Sequence, residues 1–269
     1  MTGRINMKIS AFYPNVLDAL KESGISLSEA LAKIKQAGVS ALDFDYRSIK
    51  DGFSDEVTQS GLAVNSIYAF FDYSESGAYE KAKAVVNLAK EHGAVAMFVP
   101  EKFDKETIAP LKEIKDRDGI FTWLDGCDKA CRAAETIEKL SVYGEKIGVP
   151  CAVENFDSHR SMTERLYEIE WLFSKAPHLE FNLDTGNSIT CGEDAAELYA
   201  KFREKIVNVH CKDRLKDNRT TAVGTGEMPI TEIRNRLIRS GYSGGFSVEV
   251  FGVPNMLEAI VRSAENLNG

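Results

Sequence analysis

Eight short runs rich in Val, Ile and Phe recur along this chain, each followed by a segment of helical period, and that alternation leaves few folds open. The runs are MKISAFY, ALDFDY, LAVNSIYAF, AVAMFV, PCAVENF, LEFNLD, IVNVHCK and GFSVEV. Between them lie stretches such as SLSEALAKIKQAG, AYEKAKAVVNLAKEHG and CDKACRAAETIEKLSVYGEKIG, the last followed by Gly148, where a left-handed helix cap costs least for glycine. A chain of 269 residues could hold two ordinary domains or a doubly wound sheet. Eight βα units with no linker-like Pro, Gly or Ser stretch fit instead a single (β/α)8 TIM barrel over residues 1–269, with residues 1–6 a loose N-terminal extension. The second unit is the weakest, because its helical segment SDEVTQSG is short.

Charge and composition narrow the partners. Lys and Arg number 33 against 41 Asp and Glu, a formal net charge of −8, so a nucleic-acid backbone is repelled on average and no nucleic-acid partner is expected. The N-terminus MTGRINMKIS lacks a signal-peptide core, and no stretch reaches the roughly 18 apolar residues that span a bilayer. The expectation is a cytoplasmic protein with no membrane partner, able to form a homo-oligomer. Cys127 and Cys131 lie four apart on a helical segment and Cys151, Cys191 and Cys211 are scattered, which matches neither a disulfide framework nor a zinc knuckle, so all are read as reduced thiols.

In a TIM barrel the site is built where strands end and βα loops begin. The last four strands each end on one ionisable residue: Glu154 in CAVEN, Asp184 in FNLDT, His210 in VNVHC and Glu249 in SVEVF. Two residues before them stand Ala152, Asn182, Asn208 and Ser247, all small or polar, whereas intervening positions such as Val153, Leu183, Val209 and Val248 are apolar. Alternation then turns the apolar set toward the helices, and turns the ionisable set, with Lys212 on the parity of His210, toward the barrel mouth. Three carboxylates in one cleft repel one another unless a cation stands between them. Two Glu, one Asp and one imidazole form a hard, oxygen-rich set suited to one divalent ion: Mn²⁺, Mg²⁺, Co²⁺ or Zn²⁺.

The order Glu, Asp, His, Glu on successive strands, with HCKD around the histidine, VGTGEMPI after it and GGFSVEVF near the end, resembles the xylose-isomerase-like TIM-barrel superfamily, the sugar phosphate isomerase/epimerase family. The resemblance covers essentially the whole chain. It implies that Glu154, Asp184, His210 and Glu249 bind the metal. It further implies that Glu154 and Glu249 are catalytic, transferring a proton next to a metal-bound carbonyl through an enediolate, so that the chain isomerises or epimerises a small-molecule sugar substrate. Related chemistry in the family is dehydration of inosose-type substrates, which starts with the same proton abstraction.

The remaining site candidates concern substrate. Many members of the family carry a histidine three residues after the Asp, where this chain has Asn187, able to hydrogen-bond a hydroxyl but a poor metal ligand. His159 and Arg160, in the loop NFDSHR, are candidates for a substrate contact. Lys212 matches the family's lysine after the histidine and is read as reaching substrate oxygens or forming a structural ion pair, with Asp213 structural. Tyr13 and Tyr68, near the ends of strands one and three, and Trp123, in a DGIFTWLDG loop after strand four, are candidates to line a sugar pocket. His92 and His178 are read as surface caps and Trp171 as core. An apurinic-site endonuclease resembling endonuclease IV is disfavoured by Asn187, by the lack of histidine on strands two and three and by the net charge of −8. A non-catalytic sugar-binding barrel is disfavoured by the intact quartet.

Overall fold

Each apolar run forms a strand in the computed structural model, which describes residues 7–269. The expected extension over residues 1–6 lies outside the described residues. The strands are β1 (Lys8–Phe12), β2 (Ala41–Asp45), β3 (Ala63–Ala69), β4 (Val95–Phe98), β5 (Cys151–Glu154), β6 (Glu180–Asp184) and β7 (Ile206–Cys211). A short antiparallel pair, β8 (Asp213–Arg214) with β9 (Thr220–Thr221), follows, and β10 (Gly245–Val248) closes the barrel by pairing with both β7 and β1. All eight barrel pairings are parallel, as a chain of βα units requires. Asp184 pairs with His210, and His210 with Ser247, so the ends of β6, β7 and β10 stand level at one rim.

Between strands and helices the expected parity holds. Val153, Phe181, Leu183, Val209, Phe246 and Val248 lie buried in one continuous apolar core with the helix faces. The helix Asp128–Ile147 contributes Ala130, Ala133, Ala134, Ile137 and Leu140, whose spacing puts them on one stripe, and it ends at Gly148 with φ 75°. None of the helices among the described residues is long and apolar enough to cross a membrane.

Two segments differ from the sequence reading. MKISAFY stops being a strand at Phe12, and Tyr13–Ser23 is a helix with Pro14 in its first turn, where a missing N–H costs nothing. DGIFTWLDG is not a loop. It forms the helix Arg117–Asp125, begun by the Asp116 side chain accepting from the Gly119 N–H at 2.8 Å.

The barrel interior is polar beneath its mouth. Asn65 Nδ2 donates to Asp43 Oδ1 at 2.7 Å and to Asn208 Oδ1 at 3.0 Å across the barrel, and Ser66 donates to the same Asp43 oxygen at 2.6 Å. Asn208 Nδ2 donates to Asn182 Oδ1 at 2.8 Å and to Ser247 Oγ at 3.1 Å, and Ser10 donates to Ser247 at 2.9 Å. These side chains are fully buried, so their hydrogen bonds pin strand registers that an all-aliphatic interior would leave to shape alone. At Gly245 a Cβ would collide with Asn65 Oδ1 and Asn208 Oδ1, so only glycine lets β10 reach this network.

Candidate metal centre

Directly above the polar network, Glu154, Asp184, His210 and Glu249 come together, each offering one ligand atom within 4.8 Å of all the others. All four are buried. His210 Nδ1 faces the three carboxylates: Glu154 Oε1 at 2.9 Å, Glu249 Oε2 at 3.3 Å and Asp184 Oδ2 at 3.9 Å. Three of the quartet stand on strands, and Glu249 directly follows β10. Asp184 Oδ1 accepts from the Gly186 and Asn187 N–H groups at 2.8 and 2.7 Å, and Asn155 grips the Asp184 backbone on both sides, accepting from its N–H and donating to its C=O at 2.8 Å each.

Lys212 closes the cluster from the side. Its buried Nζ lies 2.5 Å from Glu249 Oε1 and 3.2 Å from Asp184 Oδ2, and it donates to Asn187 Oδ1 at 2.7 Å. Three carboxylates and one ammonium leave two negative charges, which a divalent ion would balance with His210 neutral. Among the described residues, Asp184 Oδ2 and Glu249 Oε2 are buried oxygens without an aligned hydrogen bond, although His210 and Lys212 stand within ion-pair distance. Unspent buried carboxylate oxygens beside an imidazole nitrogen are what a divalent ion needs, and the residues fit one.

The protonation of the cluster follows from its geometry. Burial raises the Asp184 carboxyl well above the usual carboxylate range, with Lys212 pulling the other way. Burial also works against the charge of Glu249, but Lys212 and His210 outweigh it and hold its carboxyl at about 2. For His210 burial lowers the pKa while Glu154 and Glu249 raise it further, so the imidazole ends well above its ordinary value. Lys212, desolvated but facing Asp184 and Glu249, is raised as well. Without a metal, the carboxylates therefore favour the charged forms of both the imidazole and the ammonium.

A cavity of about 350 Å³ opens over the quartet, lined by Glu154, His210, Lys212 and Glu249 at its floor. Its walls include Phe12, Tyr68, Phe70, Phe156 and Phe251, with Asp45 and Asp157 between them. Tyr68 is the one aromatic candidate that the structure brings here. Asn187 lies below the surface, donating to Glu154 Oε1 at 3.3 Å and to Asn155 O at 3.0 Å while accepting from Lys212, so it orients the cluster.

The other substrate candidates are not brought to the cavity. Tyr13 packs on Phe44, with ring centroids 4.9 Å apart, because the helix that begins there turns it outward. Trp123 is half-buried against the core on the helix Arg117–Asp125. His159 is exposed with Nδ1 3.2 Å from Glu164, and Arg160 spends Nε on Phe103 O at 2.8 Å. Asp213 organises VGTGEM, accepting from the Gly224, Gly226 and Met228 N–H groups at 2.8, 2.9 and 3.1 Å.

The sequence reading passed over Asn155 and four of the five aromatic rings, yet a signal existed. Phe12 stands two residues past the inward Ser10, Phe70 two past Tyr68, Phe156 two past Glu154 and Phe251 two past Glu249. The parity that aims the quartet at the mouth therefore also predicts its aromatic wall.

Residues 17–268 match the family model described as xylose isomerase-like TIM barrel. No curated protein sequence matches the chain. Among solved structures, a sugar phosphate isomerase/epimerase from Parabacteroides distasonis is similar with a TM-score of 0.69 and 16% identity, over 100% of this chain and 96% of that one. A probable 3-DHS dehydratase from Bacillus anthracis has a TM-score of 0.71 at 14% identity, over 98% and 99%. A xylose isomerase-like TIM barrel protein from Mycobacterium smegmatis, in complex with magnesium, has a TM-score of 0.64 at 15% identity, over 100% of both chains.

Proposed function

We propose, from the premise that the chain belongs to the xylose isomerase-like TIM barrel family, that it is a divalent-metal-dependent isomerase or epimerase of a small sugar or sugar derivative. The observation that carries this reading is the convergence of Glu154 and Glu249 on one imidazole nitrogen, at 2.9 and 3.3 Å, from the ends of β5 and just past β10. These strands bound the run β10-β7-β6-β5, so the two carboxylates reach a ligand above the cluster from different sides.

A divalent ion held by Glu154, Asp184, His210 and Glu249 would polarise a ketone and its neighbouring hydroxyl, acidifying the C–H between them. Glu154 and Glu249 supply the proton transfer: one carboxylate removes the proton and the other returns one to the opposite face. Lys212 keeps Glu249 ionised, and Asn187, bonded to both Glu154 and Lys212, holds the carboxylate orientation. The aromatic wall keeps bulk water from the site, which strengthens every charge interaction on its floor.

The test is to load the purified protein with Mn²⁺, Mg²⁺, Co²⁺ or Zn²⁺ in turn and follow solvent deuterium into the carbon next to the carbonyl of a ketose panel by NMR. About one ion per chain and metal-dependent exchange are expected. A metal-loaded protein that exchanges no substrate proton would overturn the reading. Dehydration of an inosose-type substrate is the second reading, prompted by the likeness to the Bacillus anthracis protein, and a product lighter by one water would select it.

A further inference from the structure

The cavity above the quartet divides sharply into a charged floor and an apolar wall. Its rings form an unbroken arc. Phe251 meets Phe12 edge-on at 6.0 Å between centroids, Phe12 stacks on Tyr68 at 5.4 Å, Tyr68 meets Phe70 at 5.8 Å and Phe70 meets Phe156 at 5.6 Å. Phe12 also packs edge-on against His210 at 4.7 Å, so the arc begins at the floor and climbs outward to Phe251, which is 40% exposed. A lone aromatic ring beside a sugar site is ordinary. Five in contact, with few free hydrogen-bonding groups among them, form a surface for something other than hydroxyls.

Charge around the cavity is already spent. At the floor, the Lys212 ammonium faces three acceptors, Glu249, Asp184 and Asn187, which matches its three protons. At the walls, Asp45 is paired with Arg47 at 2.5 Å and Asp157 with Arg214 at 3.2 Å, and Arg214 gives further donors to Gly186 O and Asn218 O. Lys102, 5.8 Å from the Phe70 ring centroid, is paired with Glu101 at 2.7 Å. With His210 neutral, the quartet with Lys212 carries two negative charges before a divalent ion binds and none after. Neither state offers a phosphate or carboxylate group an uncommitted cation, and such a group bound there would lose its hydration with nothing in return.

Resting on the isomerase or epimerase reading, we infer that the substrate is an uncharged keto-sugar carrying an apolar substituent, its ketone end over the metal-binding floor and its substituent against the aromatic arc. Phosphorylated and acidic sugars bind more weakly, for want of an uncommitted cation. The reaction at the ketone needs no part of the substituent, which serves to bind and orient.

Three matched ligands test this: a methyl hexopyranoside with a ring ketone, its phenyl analogue and its 6-phosphate. Binding to the metal-loaded protein is measured by calorimetry, and deuterium exchange is followed separately. The phenyl compound should bind roughly tenfold or more tightly than the methyl compound, and the phosphate roughly tenfold or more weakly. Phe70→Ala and Phe251→Ala, at half-buried and exposed positions, should bring the phenyl-to-methyl ratio toward one. Asp157→Asn, which releases Arg214, should narrow the gap against the phosphate. A phosphate that binds as well as the methyl compound, a phenyl compound that gains nothing, or no binding by any of the three overturns the inference. The expected order of binding without any exchange supports it and sinks the isomerase reading. Exchange on the phosphate in preference to the others does the reverse.

Discussion

Around one barrel mouth, β5, β6 and β7 and the residue after β10 deliver Glu154, Asp184, His210 and Glu249, whereas β1, which pairs with β10, and β3 deliver Phe12 and Tyr68, with Phe70 beyond. The first group is held by other polar groups: Asn155 and the Gly186 N–H grip Asp184, Asn187 grips Glu154 and Lys212 grips Glu249. The second is held by packing: Phe12 and Tyr68 stack and share Met97, and Tyr68 meets Phe70. The difference shows how a barrel concentrates charge at low cost. Ionisable groups need partners at every free atom once buried, so they cluster where short, consecutive strands can supply them. Aromatic rings need no such partners, so they can wall the mouth above Ser10, Asn65 and Ser66, which belong to the polar network below.

The charged side should be the more easily broken. His210→Ala removes the one nitrogen that faces all three carboxylates, and metal affinity should fall by more than about a hundredfold, read as lost occupancy in elemental analysis. Full occupancy in that variant would dissolve the contrast between the two sides. Glu154→Gln and Glu249→Gln, each saturated with metal, should lose proton exchange by roughly a hundredfold or more, the size of a missing general acid or base. Near-normal interconversion by both would leave the pair as ligands only.

Asn155 tests whether the polar scaffold matters at one remove. Asn155→Ala frees the Asp184 backbone, and metal affinity should fall about ten- to a hundredfold with the fold intact by circular dichroism. An unchanged affinity would mean that the Gly186 and Asn187 N–H groups suffice. Proton linkage sharpens the same point. Against burial, Glu154 and Glu249 hold the His210 pKa above its ordinary value, and burial raises Asp184 too, so binding a metal should release at least one proton. Calorimetry in buffers of different ionisation enthalpy reads that number, and affinity should weaken as pH falls.

The smallest effect belongs to a histidine far from the mouth. His178 Nδ1 pairs with Glu138 at the surface, and that hydrogen bond raises its pKa. A raised histidine contributes stability that is complete below its unfolded pKa, about 6.5, and lost as pH rises through the folded value. His178→Gln should therefore lower Tm slightly at acidic pH and not at alkaline pH, with no change in metal content. A change in metal content would link the surface pair to the site.

The strands, their order and the inward quartet were legible because period-two alternation and the spacing of one βα unit are local properties of the chain. Gly148 as a cap was legible for the same reason. Tyr13, read from its place at a strand end, and Trp123, read from a loop after strand four, both stand on helices that carry them away from the cavity. Asn187 looked like a sugar contact and is instead a bracket between Glu154 and Lys212, a role that depends on two residues 33 and 25 positions away.

What the chain settles locally is which residues alternate, where helices begin and end, and that four ionisable groups share one face. Closure of the barrel settles the rest. Only when β10 meets β1 do Asn65 and Asn208, 143 residues apart, hydrogen-bond across the interior, and only then does the Phe251 ring reach Phe12. Burial then turns chemically ordinary side chains into a coupled set: desolvation pushes Asp184 up against the pull of Lys212 at 3.2 Å, while the same ammonium, at 2.5 Å from Glu249, helps hold that carboxyl down despite its burial. Electrostatic coupling in a low-dielectric interior depends on separations in space, and separations in sequence do not encode them.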